Sequence, residues 1–359
     1  MFGIEEVNLR RKNKRKFYYN KIKIRKLLKE IEEFLKGKDY LNDPDFTKRM
    51  MLLLEIKTNN AIEGFNDELD SIEEIILKKR YSSTEEKNRI LNLYNGYRYI
   101  LSNKRIDKVT LNTLYNILSV NLLDDFSKEN MGKRYRKKDV FIWNSDEGIF
   151  PDFDAGIPAE EVEGYMRELF RYLKEPVKSK EEIFIKSQIM HFYFVYVHPY
   201  FDVNGRCART FSLWYLLNND AYAFTIMNRG ISLHKEQYKK SIIKSRNGNL
   251  TPFLEFMLLT VKNELEKQDI IYNIKKNSKI PLSADDYEIL EYILTSKDKT
   301  VDEVIIFYNR YNGYNSKEKV LLERIYPLVE KGIIEIDQNK KITIKKQILE
   351  KSKQKVIVN

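Results

Sequence analysis

"QIMHFYFVYVHPYFDVNGRCARTFSLWYLL", residues 188–217, holds two greasy stretches with a polar dozen between them. The first, part of "IFIKSQIMHFYFVYV", is apolar on nearly every side, which marks a central helix. Pro199 stops it, because a proline ring and the restriction on the residue before it both oppose helix. From Gly205 the run "GRCARTFSLWYLLNN" resumes helical spacing. The dozen "HPYFDVNGRCAR", His198 to Arg209, is therefore a short loop feeding the N-terminus of a second buried helix.

Outward from this pair the chain reads as mainly α. "IRKLLKEIEEFL", "DSIEEIILKKRY", "LNLYNGYRYIL" and "VEGYMRELFRYL" repeat their apolar residues at helical spacing. Pro158 and the acids after it suit a helix start. One segment breaks the pattern. "GKRYRKKDVFIWNSDEGIFPDF", residues 132–153, sets β-rich "DVFIW", turn formers "NSDEG" and then "IF" among the helices, and predicts a hairpin. Past "NSKIPLS", a boundary at 277–283, three helical runs precede "IIEI" and "KITI" around the turn "DQNK". Helix, helix, helix, hairpin is a winged-helix plan. The expected divisions are a basic segment 1–38, a body 39–276, a winged-helix-like domain 277–345 and a basic tail 346–359.

With 359 residues, 42% of them apolar, the chain is long and greasy enough to fold throughout. No run approaches the ~20 apolar residues of a membrane span, and the N-terminus lacks a secretory apolar stretch. The single cysteine, Cys207, excludes an internal disulfide or a cysteine-rich zinc site and reads as a small buried thiol. Cytoplasm is the expected compartment. Of the net charge of +11, residues 1–38 supply 13 Lys and Arg against 5 Glu, and residues 336–359 supply 7 Lys against 2 acids. That leaves the middle at −2, so the body is no general polyanion binder.

The loop carries the chemistry. Unpaired N–H groups and the positive dipole end at a helix N-terminus attract anions, above all phosphate. Asn204 and Gly205 tolerate φ > 0 and can fold that backbone into a nest. Arg206 and Arg209, three apart, project beside the same anion, and Asp202 offers the hard oxygens that Mg²⁺ shares with phosphates. His198 supplies a base that titrates near neutrality. Each residue alone also suits a plainer role, as helix cap, turn former or solvated charge. Their joint spacing beside buried helices points to nucleotide-dependent transfer onto a hydroxyl.

The same residues resemble the signature of Fic proteins: histidine-proline-phenylalanine, a variable residue, an acid, glycine-asparagine-glycine-arginine, two variable residues, arginine. Tyr200 stands in place of the phenylalanine and Val203 in place of the first glycine; a β-branched residue resists φ > 0. The resemblance extends upstream. Fic enzymes are similar in having a hairpin flap on which a target segment adds as a strand, and "YRKKDVFIW" with Val140, Phe141 and Ile142 fits it. "NNAIEGF" resembles the family's inhibitory motif, with Asn59 where Ser or Thr is usual and Glu63 and Gly64 matching, within a segment 56–65. Gly64 also reads as a helix cap.

What the resemblance implies is a Fic-fold helical body that transfers AMP from ATP, with Mg²⁺, to a Ser, Thr or Tyr hydroxyl of a target protein or of the chain itself. His198 would take the hydroxyl proton, Asp202 would hold Mg²⁺, and Asn204, Gly205 and Arg206 would bind phosphate. Arg209 would meet the γ phosphate, or Glu63 in an autoinhibited state. A second reading runs the reverse chemistry, removing AMP with Glu63 positioning water. A third makes the chain a DNA-binding regulator through its C-terminal domain, for which Lys317, Lys319 and Arg324 against Glu318 and Glu323 offer little net charge. Dimerisation suits that domain as well.

Overall fold

The computed structural model describes residues 3–42, 54–67, 69–78, 84–144, 152–278, 282–294, 299–312, 316–348 and 350. Along them run β1 (Ile4–Arg10), β2 (Lys16–Asn20), α1 (Lys21–Leu35), α2 (residues 54–62), α3 (Leu69–Lys78), α4 (Glu85–Ser102), α5 (Lys108–Leu118) and α6 (Asp125–Asn130). Then follow β3 (Phe141–Asn144), β4 (Asp152–Ala155), α7 (Ala159–Leu173), α8 (Lys180–Val197), α9 (Asn204–Asn218), α10 (Met227–Leu233), α11 (Lys235–Ser245) and α12 (Thr251–Ser278). The chain is mainly α and packs as two compact units, Met1–Glu63 with Ile72–Val261, and Gly64–Ser71 with Lys262–Asn359.

In the first unit α8 and α9 form the central pair. α8 buries residues on every side, among them Phe184, Gln188, Phe192 and Phe194, as its all-apolar sequence requires. α4 and α5 pack on α9, and α7 packs on α8. Caps fix where helices begin: Asp107 accepts from the Val109 and Thr110 amides and takes part in a capping box, and Ser179 accepts from the Glu182 amide.

Two expectations change. Residues 1–38, expected as a separate basic segment, do not stand apart; β1, β2 and α1 belong to the first unit. Alternate residues of "KFYYN" face inward, and Phe17, fully buried, meets the rings of Phe192, Tyr193 and Tyr196 edge-on at 5.5, 6.0 and 5.1 Å. The lysines ride on the outer face, which the charge count could not separate from the inner one. The hairpin forms as β3 and β4, antiparallel, with Phe141 opposite Ala155 and Asn144 opposite Asp152. Its returning strand is "DFDA"; the expected turn beyond Asn144 and the "IF" run at 149–150 lie outside the described residues.

The second unit continues from the latter part of α12 through α13 (Ala284–Ile293), β5 (Lys299–Thr300), α14 (Val301–Asn312), α15 (residues 317–330), β6 (Ile334–Ile336) and β7 (Lys341–Ile344). The strands form one antiparallel sheet in the order β5-β7-β6. Two residues long, β5 carries no readable alternation. α12 runs unbroken to Ser278, and the second unit begins inside it, at Lys262. Pro327 has no N–H to give, and just before it the ladder slips into a π turn over Leu321–Ile325. Lys317 pairs with Asp302, and Arg324 with Asp285, so cations of α15 are engaged within their own unit. Among the described residues no helix is long and apolar enough to cross a membrane.

Candidate active site

The loop between α8 and α9 is bent at both ends by residues in the left-handed region. His198 (φ 51°, ψ 62°) ends α8, its amide donating to the Phe194 carbonyl at 2.9 Å. Val203 (φ 66°, ψ 7°) precedes α9 and is buried, so the β-branched residue does adopt the positive φ that the loop demands. The rest of the loop is braced from within. Asn204 accepts from the Tyr200 amide at 3.1 Å and donates to the Tyr200 carbonyl at 2.9 Å. Tyr200, fully buried, stacks on Tyr115 at 3.6 Å with the planes 11° apart, and its hydroxyl has no partner.

Over this loop lies α2. Residues 55, 59 and 63 are spaced four apart, so they share one face. Glu63 accepts from the Arg209 guanidinium at 2.5 Å, and the Asn59 side-chain oxygen accepts from Arg209 Nε at 2.9 Å. Asn59 also donates to the Tyr97 hydroxyl at 2.8 Å. That hydroxyl donates at 3.4 Å to Glu55, which also accepts from Asn228. A Cβ on Gly205 would come within 2.5 Å of Glu63 Oε1, so a larger residue there would push the carboxylate away from its seat at the N-terminus of α9. Gly64, at φ 95°, ends α2 just after it.

Charge follows from these contacts. Burial pushes the Glu63 carboxyl up, but Arg209, Arg206 and His198 outweigh it and hold the pKa below the usual carboxylate range. Glu55 has less compensation, and burial raises it to about 7. Burial, with Arg136 and Arg246 nearby, lowers the His198 imidazole to about 4. At neutral pH it is therefore an uncharged base. Nε and one terminal nitrogen of Arg206 are buried without a hydrogen-bond partner. Buried guanidinium nitrogens in that state call for an anion.

Arg136 anchors the site from behind. It is buried, and its guanidinium donates to the carbonyls of His198 at 2.8 Å, Lys138 at 2.8 Å, and Ile157. Its own amide donates to the Pro199 carbonyl at 3.0 Å. Nothing in the basic run "KRYRKK" distinguishes this arginine in the sequence.

Of the expected site residues, His198, Gly205, Arg206, Arg209 and Glu63 meet here. Asn204 is adjacent, but its side chain is committed to Tyr200, which leaves only its backbone for a ligand. Val140 accepts from the Gly156 amide at 2.9 Å at the foot of the hairpin, and Phe141 and Ile142 lie on β3. Asp202 is exposed, with one oxygen taken by the Val203 amide at 2.5 Å. Among the described residues no group of three or more His, Cys, Asp or Glu could hold a metal by itself. A lone carboxylate suits an ion that takes most of its ligands from phosphates and water. Cys207 is buried, its thiol pushed well up by burial, which makes it unreactive. The anchors missed in the sequence are Arg136, Tyr97, Glu55 and Asn228.

Residues 108–216, from α5 into α9, match the family model described as Fic/DOC family. Among solved structures the chain is similar to a Fic family protein from Desulfovibrio desulfuricans G20, at 19% identity and a TM-score of 0.56, over 90% of this chain and 96% of that one. It is also similar to Fic-1 from C. elegans, at 17% identity and a TM-score of 0.52, over 70% and 73% of the two chains. At such identity the likeness concerns the fold. The segment 108–216 is thus similar to the Fic/DOC family, and the fold is of Fic type.

Proposed function

We propose that this protein transfers AMP from ATP to a Ser, Thr or Tyr hydroxyl of a target protein, and that Glu63 keeps the resting site closed. The observation that carries the reading is the seat of Glu63. Its carboxylate rests on the α9 N-terminus at Gly205 and on Arg209, where a terminal phosphate would bring the same charge to the same donors.

The chemistry needs a base, an anion cradle and a displaceable group. Neutral His198 takes the proton as the hydroxyl oxygen attacks the α-phosphorus; the bond from that phosphorus to the bridging oxygen breaks, and pyrophosphate leaves with the electron pair. Arg206, with nitrogens still unpaired, balances charge on the phosphate oxygens, and the α9 backbone amides share it. A divalent cation held between Asp202 and those oxygens would supply further neutralisation. Arg136 fixes the His198 carbonyl and so the height of the imidazole above the cradle.

Labelled ATP tests this directly. Glu63→Gly should raise label transfer to protein about tenfold or more, since the internal anion no longer competes, and His198→Ala in that background should abolish it. Equal labelling with and without Glu63 sinks autoinhibition. Labelling that survives loss of His198 sinks the mechanism. Because the Glu63 carboxylate lies close enough to raise the His198 pKa, it also suits water activation, and release of AMP from modified protein belongs in the same assay.

A further inference from the structure

Beside the reacting site lies a cavity of about 270 Å³, lined by Arg11, Lys12, Asn13, Gly156, Ile157, Tyr196, Arg246 and Asn247. Among the described residues its lining holds three cations and no acid. Arg11 Nε is buried without a hydrogen-bond partner. The Arg246 guanidinium lies over the Tyr196 ring, 5.6 Å from its centre, and the Tyr196 hydroxyl accepts from the Lys12 amide at 2.9 Å, so the ring holds both cationic segments in place.

Two features tie this cavity to target binding. Gly156 and Ile157 follow β4 directly, so the cavity opens at the foot of the hairpin, and among the described residues β3 and β4 pair only with each other. Among those residues each strand keeps an edge with no partner strand. The Ile157 and His198 carbonyls are bound by the same Arg136 guanidinium, which places the cavity wall within one side chain of the base. A strand added to the hairpin with its hydroxyl at His198 would carry neighbouring side chains past Arg11, Lys12 and Arg246.

We propose that this cavity is an anion subsite for the target protein, taking an Asp or Glu side chain of the segment that adds to the hairpin, so that the chain selects hydroxyls in acidic sequence. The inference rests on the transfer reading above for the identity of its ligand. A carboxylate there would also offset part of the Arg246 charge that depresses the His198 imidazole, making the base stronger when the correct target is seated.

Binding is measured without nucleotide, so failure of AMP transfer and failure of this subsite are read separately. Two fluorescent peptides carry one serine in identical frames, flanked in one by Asp and Glu and in the other by Asn and Gln. Anisotropy with the full chain should show the acidic peptide binding at least about tenfold more tightly, with the preference shrinking as salt rises. In Lys12→Gln/Arg246→Gln the ratio should fall to within about twofold, and Lys12→Glu alone, at an exposed position, should lower it as well. Equal affinities, an acidic preference unchanged in these variants, or no binding of the acidic peptide at about 1 mM overturns the proposal. Displacement of the acidic peptide by an oligothymidylate of equal charge, at lower concentration and with the same sensitivity to the variants, overturns it in favour of nucleic acid.

Discussion

At Val203 two effects compete within one side chain. The left-handed φ of 66° costs a β-branched residue about 1–2 kcal/mol. Its burial returns about 1.5–3 kcal/mol, and a glycine would add about 0.5–1 kcal/mol of backbone entropy to the unfolded chain. Burial wins, so Val203→Gly should lose about 1 kcal/mol in urea unfolding even though glycine is the residue most at ease with this φ. A more stable variant would mean the strain had been understated. Tyr200 makes the opposite case. Its ring stacks on Tyr115, but the hydroxyl is buried and unpaired, so Tyr200→Phe should gain about 1 kcal/mol and raise Tm by about 2 °C or more. A lower Tm would reveal a partner for that oxygen. The sequence showed both departures and the strain that one of them implies. It did not show that the Asn204 side chain turns back to hold Tyr200, because that hydrogen bond depends on a loop closing over four residues, and residue type alone left the amide equally suited to a phosphate.

Among the elements, α2 shows how far a pattern carries. Glu63 and Gly64 were legible because a carboxylate before a helix-ending glycine is a local signal. The rest of the face was not, since Glu55 and Asn59 acquire meaning only from Tyr97 on α4, Arg209 on α9 and Asn228 on α10, which sequence spacing cannot bring together. Asn59 reads as a substitution for a hydroxyl residue, yet its amide spans two buried partners, accepting from Arg209 and donating to Tyr97. Arg209 is thus held from two sides, and removing Glu63 leaves it oriented. In a Glu63→Gly background, Asn59→Leu should therefore raise KM for ATP about tenfold or more, the loss of one hydrogen bond to a buried charge. An unchanged KM would mean that packing alone orients the guanidinium. The N-terminal hairpin makes the converse point about elements: the charge count described its outer face correctly and concealed the inner one, where Phe17 joins three rings of α8.

Over the whole molecule, buried titratable groups make stability depend on pH in opposing directions. His191 and His198 have folded pKa values lowered to about 3 and about 4, chiefly by burial. Below about pH 6.5 the unfolded chain takes up their protons first, so both histidines remove stability as pH falls. Glu55 works the other way. Burial raises it to about 7, so between that value and the ordinary 4.5 the folded chain holds a proton that the unfolded chain has released. Its contribution is complete below about pH 4.5 and is lost as pH rises through about 7. Glu55 therefore flattens the acid side of the stability curve that the histidines steepen. Glu55→Gln keeps an oxygen for Asn228 and removes the proton exchange. Between about pH 5 and 6.5 its stability relative to the parent should rise with pH at about 1.4 kcal/mol per unit, one proton's worth. Denaturant midpoints at four or five pH values measure that slope, and parallel curves for the two proteins would show that Glu55 is not the group that holds the proton.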